Sequence, residues 1–222
     1  MECSHLREIL PRLARRTNSH IAEIDFLGRL VHNEEGWAER RKYLYPGRGE
    51  AWKSYHEDPF TTASTDAHKL MIPVQMPGPP EHFLGVIRFP SADSSHAWDF
   101  AIIDSLDNDK YAAEVQVLIE TKSTLANSYS QIPNDEPNAS HASASWRRVP
   151  CVEQGESECG CRMILHFYVA AFCNSLVEFE LKIGNLNGVE DLPSRVRSWA
   201  VDWIETNDTV DEPEWLNNVI QK

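Results

Sequence analysis

Four residues that can together run acyl chemistry occur in one order along this chain: His82, Asp104, Gln154 and Cys159. A cysteine is a nucleophile in its thiolate form, and an adjacent imidazole is the common base that produces it. A carboxylate fixes the tautomer of that imidazole, and an amide donor can bind the oxyanion that forms on the attacked carbonyl. Singly, each residue has an ordinary structural explanation. Most free cysteines are small core hydrophobes, and a His, Asp or Gln at a strand end or in a loop is often a local polar partner only. Their placement on the predicted elements shifts the balance.

His82 opens the near-continuous apolar run HFLGVIRF (82–89), and Asp104 closes the run DFAII (99–103). Both runs suit strands covered on two faces at the centre of a sheet. Cys159 begins CGCRMILHFYVAAF (159–172), apolar almost all round, which predicts a helix buried in the middle of the fold. Neighbouring strands can bring His82 and Asp104 within hydrogen-bond reach while the helix aims Cys159 at the same point. A helix N-terminus favours a thiolate by about 0.3–1 kcal/mol, and a neighbouring imidazolium lowers the thiol pKa further. His82 then takes the thiol proton and returns it to the leaving amine, with Asp104 orienting the ring. Gln154 and the backbone N–H of Cys159 supply oxyanion donors, an effect typically worth roughly 3–4 kcal/mol. Gly160, lacking a Cβ, allows substrate backbone to approach.

The remaining pattern supplies a frame. Leu6, Ile9, Leu10 and Leu13 predict a first amphipathic helix interrupted at Pro11, and Ile21, Ile24, Leu27 and Val31 predict a second. Residues 37–60 read mostly as loop, and 69–75 (KLMIPVQ) as a strand ending in a proline-rich turn. A helix is expected over 111–125, a surface excursion over 123–145 and a short strand over 146–152. Val196, Trp199, Ala200, Trp203 and Ile204 predict a helix over 194–205 with Ser194 as its cap, and 213–220 a last short helix. Strands flanked by helices, without an internal repeat, predict one α+β domain over 1–222 with a central mixed sheet.

Composition narrows the function classes. The 222 residues carry 21 Lys and Arg against 34 Asp and Glu, a formal charge of −13, which disfavours phosphate backbones and anionic lipid; no nucleic-acid or membrane partner is expected. No run approaches the roughly 18 apolar residues of a membrane span, and Arg7, Arg12, Arg15 and Arg16 break up the opening residues. Five unevenly spaced cysteines do not form a secreted disulfide framework, so an intracellular location, nucleus or cytoplasm, is expected. Cys151, Cys159, Cys161, Cys173 and His166 lack the paired loop spacing of a zinc site, and no metal or other cofactor is expected. His96 is a second candidate base in a polar turn.

Taken together, Ile72-Pro73-Val74, His82-Phe83, Asp104-Ser105-Leu106 and Gln154-Gly155-Glu156-Ser157-Glu158-Cys159-Gly160 resemble, in order, the landmarks of the Ulp/sentrin-type cysteine proteases. These process ubiquitin-like proteins, and the adenoviral maturation protease is related to them. The resemblance covers 69–173. Phe83 stands where that family usually has Trp, and Glu158 where it has Asp. The resemblance implies a papain-like variant fold with the nucleophile at the start of a buried helix. It also implies cleavage after the C-terminal Gly-Gly of a modifier such as SUMO, NEDD8 or ubiquitin, by processing or isopeptidase action. Phe83 would then roof the channel for the substrate tail. Two other readings of the same residues stand beside it: an inactive module that only binds a ubiquitin-like protein, and a Cys-dependent acetyltransferase of related fold.

Overall fold

Strand β3 (His82–Pro90) is buried along almost its whole length, as its apolar run requires. The structure, a computed structural model, describes residues 3–22, 69–76, 82–92, 98–104, 109–129, 144–149, 159–206 and 211–221. The described strands form a mixed sheet in chain order: β1 (His20–Ile21), β2 (Leu70–Met76), β3, β4 (Trp98–Ile103) and β5 (Ala144–Val149). The two outer pairs, β1–β2 and β4–β5, are parallel, and the two inner pairs, β2–β3 and β3–β4, are antiparallel.

Because successive strand residues face opposite sides, the sheet separates two cores. Met71, Phe83, Ile87, Phe89, Ala101, Ile103 and Val149 face the larger one. Leu70, Ile72, Val74, Leu84, Val86, Phe100 and Ile102 face the smaller one. Helix α1 (Cys3–Thr17) and four C-terminal helices cover the larger core: α3 (Cys159–Ala171), α4 (Leu176–Leu186), α5 (Leu192–Glu205) and α6 (Glu214–Ile220). Helix α2 (Asp109–Tyr129) covers the other face through Ala112, Val115 and Ile119. The fold is therefore α+β, with α3 enclosed between sheet and helices and its residues from Cys159 to Ala170 buried. No helix among the described residues is long and apolar enough to cross a membrane.

Several local expectations change. Helix α1 continues through Pro11, since Leu6, Ile9, Leu10 and Leu13 on both sides of it dock on one surface. Ile21 belongs to β1 rather than to a second helix, and the rest of that expected helix, with the loop over 37–60, lies outside the described residues. Helix α2 runs on to Tyr129, into the expected surface excursion, because neither Gly nor Pro breaks the sequence before Pro133; residues 130–143 of that excursion lie outside the described residues. Pro193 fits the first turn of a helix, so α5 starts before it and its cap is Asp191, not Ser194. Ser194 instead donates to the Asp191 carboxylate at 2.9 Å.

Helix α4 has no counterpart in the sequence reading. Its start is fixed by Ser175, whose hydroxyl accepts from the Glu178 backbone N–H, while the Glu178 carboxylate accepts from the Asn174 N–H.

Candidate active site

The site forms at one end of the sheet. The β3–β4 ladder ends with Gly85 opposite Ile103, so the next residue, Asp104, falls beside Leu84 and diagonal to His82. Side chains on such a diagonal can meet. His82 Nε2 lies 2.6 Å from Asp104 Oδ1, and both side chains are almost wholly buried. With Nε2 engaged by Asp104, Nδ1 is the ring nitrogen left to interact with the Cys159 thiol.

Cys159 is the first residue of α3 and is 7 % exposed. Burial pushes its pKa up, but the hydrogen bond and charge of His82 and the backbone amides of Phe83 and Gly160 outweigh that and hold it below the ordinary thiol value. For His82, burial disfavours the charged ring. Hydrogen bonds to Asp104 and Cys159, and the charges of both, overcome it and raise the pKa from 6.5 to about 9. The two shifts favour one state, a thiolate beside an imidazolium. Such a pair can attack a carbonyl and protonate the group that leaves.

Helix α3 is held against the sheet along its length. At Gly85 an added Cβ would stand 2.7 Å from Phe167 Cε1, so glycine is what allows helix and strand to approach. At the far end the Lys69 ammonium donates to the carbonyls of Ala170 (3.1 Å), Ala171 and Cys173 (2.6 Å), carbonyls at the helix end that have no partner within the helix. Helix α2 contributes Tyr111, whose ring stacks on the His82 imidazole with centroids 6.1 Å apart and planes 24° apart.

Comparison with known proteins fits this architecture. No protein-family model and no curated protein matches the sequence. Among solved structures, a de-sumoylating protease superposes with a TM-score of 0.52 at 13% identity, covering 100% of this chain and 80% of that one. The SUMO protease Ulp1, with its catalytic cysteine oxidised to a sulfonic acid, superposes at 0.53 with 14% identity, covering 92% of this chain and 77% of that one. The chain has the SUMO-protease fold.

Within that fold, the structure brings together His82, Asp104 and Cys159, three of the residues singled out in the sequence. Gly160 sits buried in the first turn of α3 and contributes its backbone to the thiol. The Phe83 side chain packs into the larger core, only 3 % exposed. What Phe83 turns toward the sulfur is its backbone amide. Gln154, Glu158, Ser105, Leu106, Cys151 and His96 lie outside the described residues. Cys161, Cys173 and His166 are buried on or just after α3, and no group of three or more His, Cys, Asp or Glu side chains among the described residues is arranged to hold a metal.

Two contributors escaped the sequence reading. The Phe83 amide is a backbone donor and leaves no side-chain signature. Tyr111 follows Asp104 closely in sequence, but its approach to His82 depends on which face of the sheet α2 covers.

Proposed function

We propose that this protein is a cysteine protease that cleaves after the C-terminal Gly-Gly of a ubiquitin-like modifier, releasing a lysine amine or a short propeptide. The observation that carries the reading is His82 bridging Asp104 and the Cys159 thiol at the sheet end. The SUMO-protease fold and the ordered sequence landmarks support the substrate class.

In this reading the Cys159 thiolate attacks the glycine carbonyl, and the oxyanion takes hydrogen bonds from the Cys159 backbone N–H and the Gln154 amide. As the tetrahedral intermediate collapses, the proton on His82 Nδ1 passes to the departing amine and a thioester to Cys159 remains. His82, now neutral, removes a proton from water, which attacks the thioester. The carboxylate product leaves and the thiolate–imidazolium pair is restored. Asp104 keeps the ring oriented throughout by holding Nε2–H.

A panel of SUMO, NEDD8 and ubiquitin probes bearing C-terminal electrophiles tests the proposal. One or more should label wild type at Cys159 and leave Cys159→Ala unlabelled. Acetyl-CoA turnover by Cys159 without probe labelling would replace proteolysis with acetyl transfer. Probe binding without labelling or turnover would leave a binding module.

A further inference from the structure

The His82 imidazole is approached from both layers of the fold. On β3, His82 shares its parity with Leu84 and Val86, which face the α2 side of the sheet. Cys159 reaches the ring from α3, the helix on the opposite face, because both lie at the sheet's end. Tyr111 comes from the first turn of α2 and packs against the smaller core, so its ring is held in a stack beside the imidazole by the same contacts that dock α2. Among the described residues, the charged and titratable groups meeting His82 are thus Asp104 beyond β4, Cys159 on α3 and Tyr111 on α2.

We propose that Tyr111 is a positioning residue: its ring, stacked beside the His82 imidazole, holds it between Asp104 and Cys159 and stabilises it in the imidazolium form. The inference rests on the cysteine-protease reading and deepens it. An aromatic face attracts a cation lying over it through its quadrupole, the more so where water is excluded, and His82 is only 3 % exposed. An offset stack at this separation also restricts rotation of the ring about its side-chain bonds. Stabilising the imidazolium stabilises the thiolate beside it, so Tyr111 acts on the sulfur through His82.

The test compares wild type, Tyr111→Phe, Tyr111→Leu and a protein carrying pentafluorophenylalanine at position 111. That residue keeps the ring's shape but reverses the charge character of its face. Two titrations are read on each: alkylation of Cys159 by iodoacetamide, located by mass spectrometry of its peptide, and the His82 ring resonances by NMR. Circular dichroism checks the fold. Tyr111→Phe should follow wild type. Tyr111→Leu and the fluorinated ring should lower the His82 midpoint and raise that of Cys159, each by roughly half a unit to one unit, with kcat falling and KM unchanged. Midpoints for the fluorinated ring that superimpose on wild type would overturn the role of Tyr111 while leaving the protease reading intact. A wild-type Cys159 that titrates as an ordinary thiol and is indifferent to His82→Ala would overturn both.

Discussion

Gly85 on β3 and Phe167 on α3 are in such close contact that the helix carrying Cys159 has no room for even a methyl group at position 85. Gly85→Ala should therefore push α3 away from the sheet, at a cost of about 1–3 kcal/mol, since Phe167 is fully buried and has nowhere to move. Urea denaturation measures the loss. Phe167→Leu in the same chain should return part of it, because a smaller side chain makes space for the new methyl group. Equal stability of Gly85→Ala and wild type would show that the helix does not depend on this approach.

Asp104 bears on chemistry more than on folding. Asp104→Asn keeps the shape of the side chain but removes the charge that favours the imidazolium and presents either an N–H or a neutral oxygen to Nε2. Under the proposed reading, kcat should fall by roughly 10²–10⁴ with the circular dichroism spectrum unchanged. Single-turnover cleavage of a modifier fused to a short peptide reads this directly.

The pH dependence has a defined sign. His82, with its pKa raised to about 9, stays protonated through neutral pH, and Cys159, with its lowered pKa, ionises below the ordinary thiol range. Activity should rise on an acid limb below the ordinary thiol range as the thiolate forms. It should fall on an alkaline limb near pH 9 as the imidazolium is lost. A kcat/KM profile measures both limbs, and an alkaline limb already complete at pH 7 would contradict the ion pair.

His166 gives a separate signature in stability. It is wholly buried in α3, neither ring nitrogen has a hydrogen-bond partner among the described residues, and burial followed by the charge of Arg162 lowers its pKa from 6.5 to about 3. Between those values the unfolded chain holds a proton on this ring that the folded chain does not. Stability is therefore fully present above pH 6.5 and declines with acid, by about 1.4 kcal/mol per pH unit at most. His166→Leu removes that dependence and two unsatisfied polar atoms. Denaturant midpoints should show the variant gaining more over wild type at pH 5 than at pH 8.

Lys69 ties the far end of the same helix. Lys69→Met removes donors from the carbonyls of Ala170, Ala171 and Cys173 and should cost about 1–3 kcal/mol. A thermal melt is sufficient to detect it.

What could be read in advance followed from how strongly each feature is written into local sequence. His82, Asp104 and Cys159 sit at the ends of long apolar runs, so the element boundaries themselves exposed them. The almost wholly apolar character of α3 announced its burial. Helix α4 was equally well marked by Ser175, Glu178 and the spacing of Leu176, Phe179, Ile183 and Leu186, but it carries no chemistry that would draw attention. The amide of Phe83 and the ring of Tyr111 were illegible for a different reason. Their roles arise from strand register and from the side of the sheet on which α2 packs, neither of which is stated by residues near them.

The enclosure of α3 on every side also limits how this molecule can diversify. From Gly160 to Ala170 no side chain has a free surface to offer a visiting protein. Under the proposed reading, a change of taste for one target over another must then be written outside this helix, while the helix itself can drift only by trading one tightly fitted core residue for another.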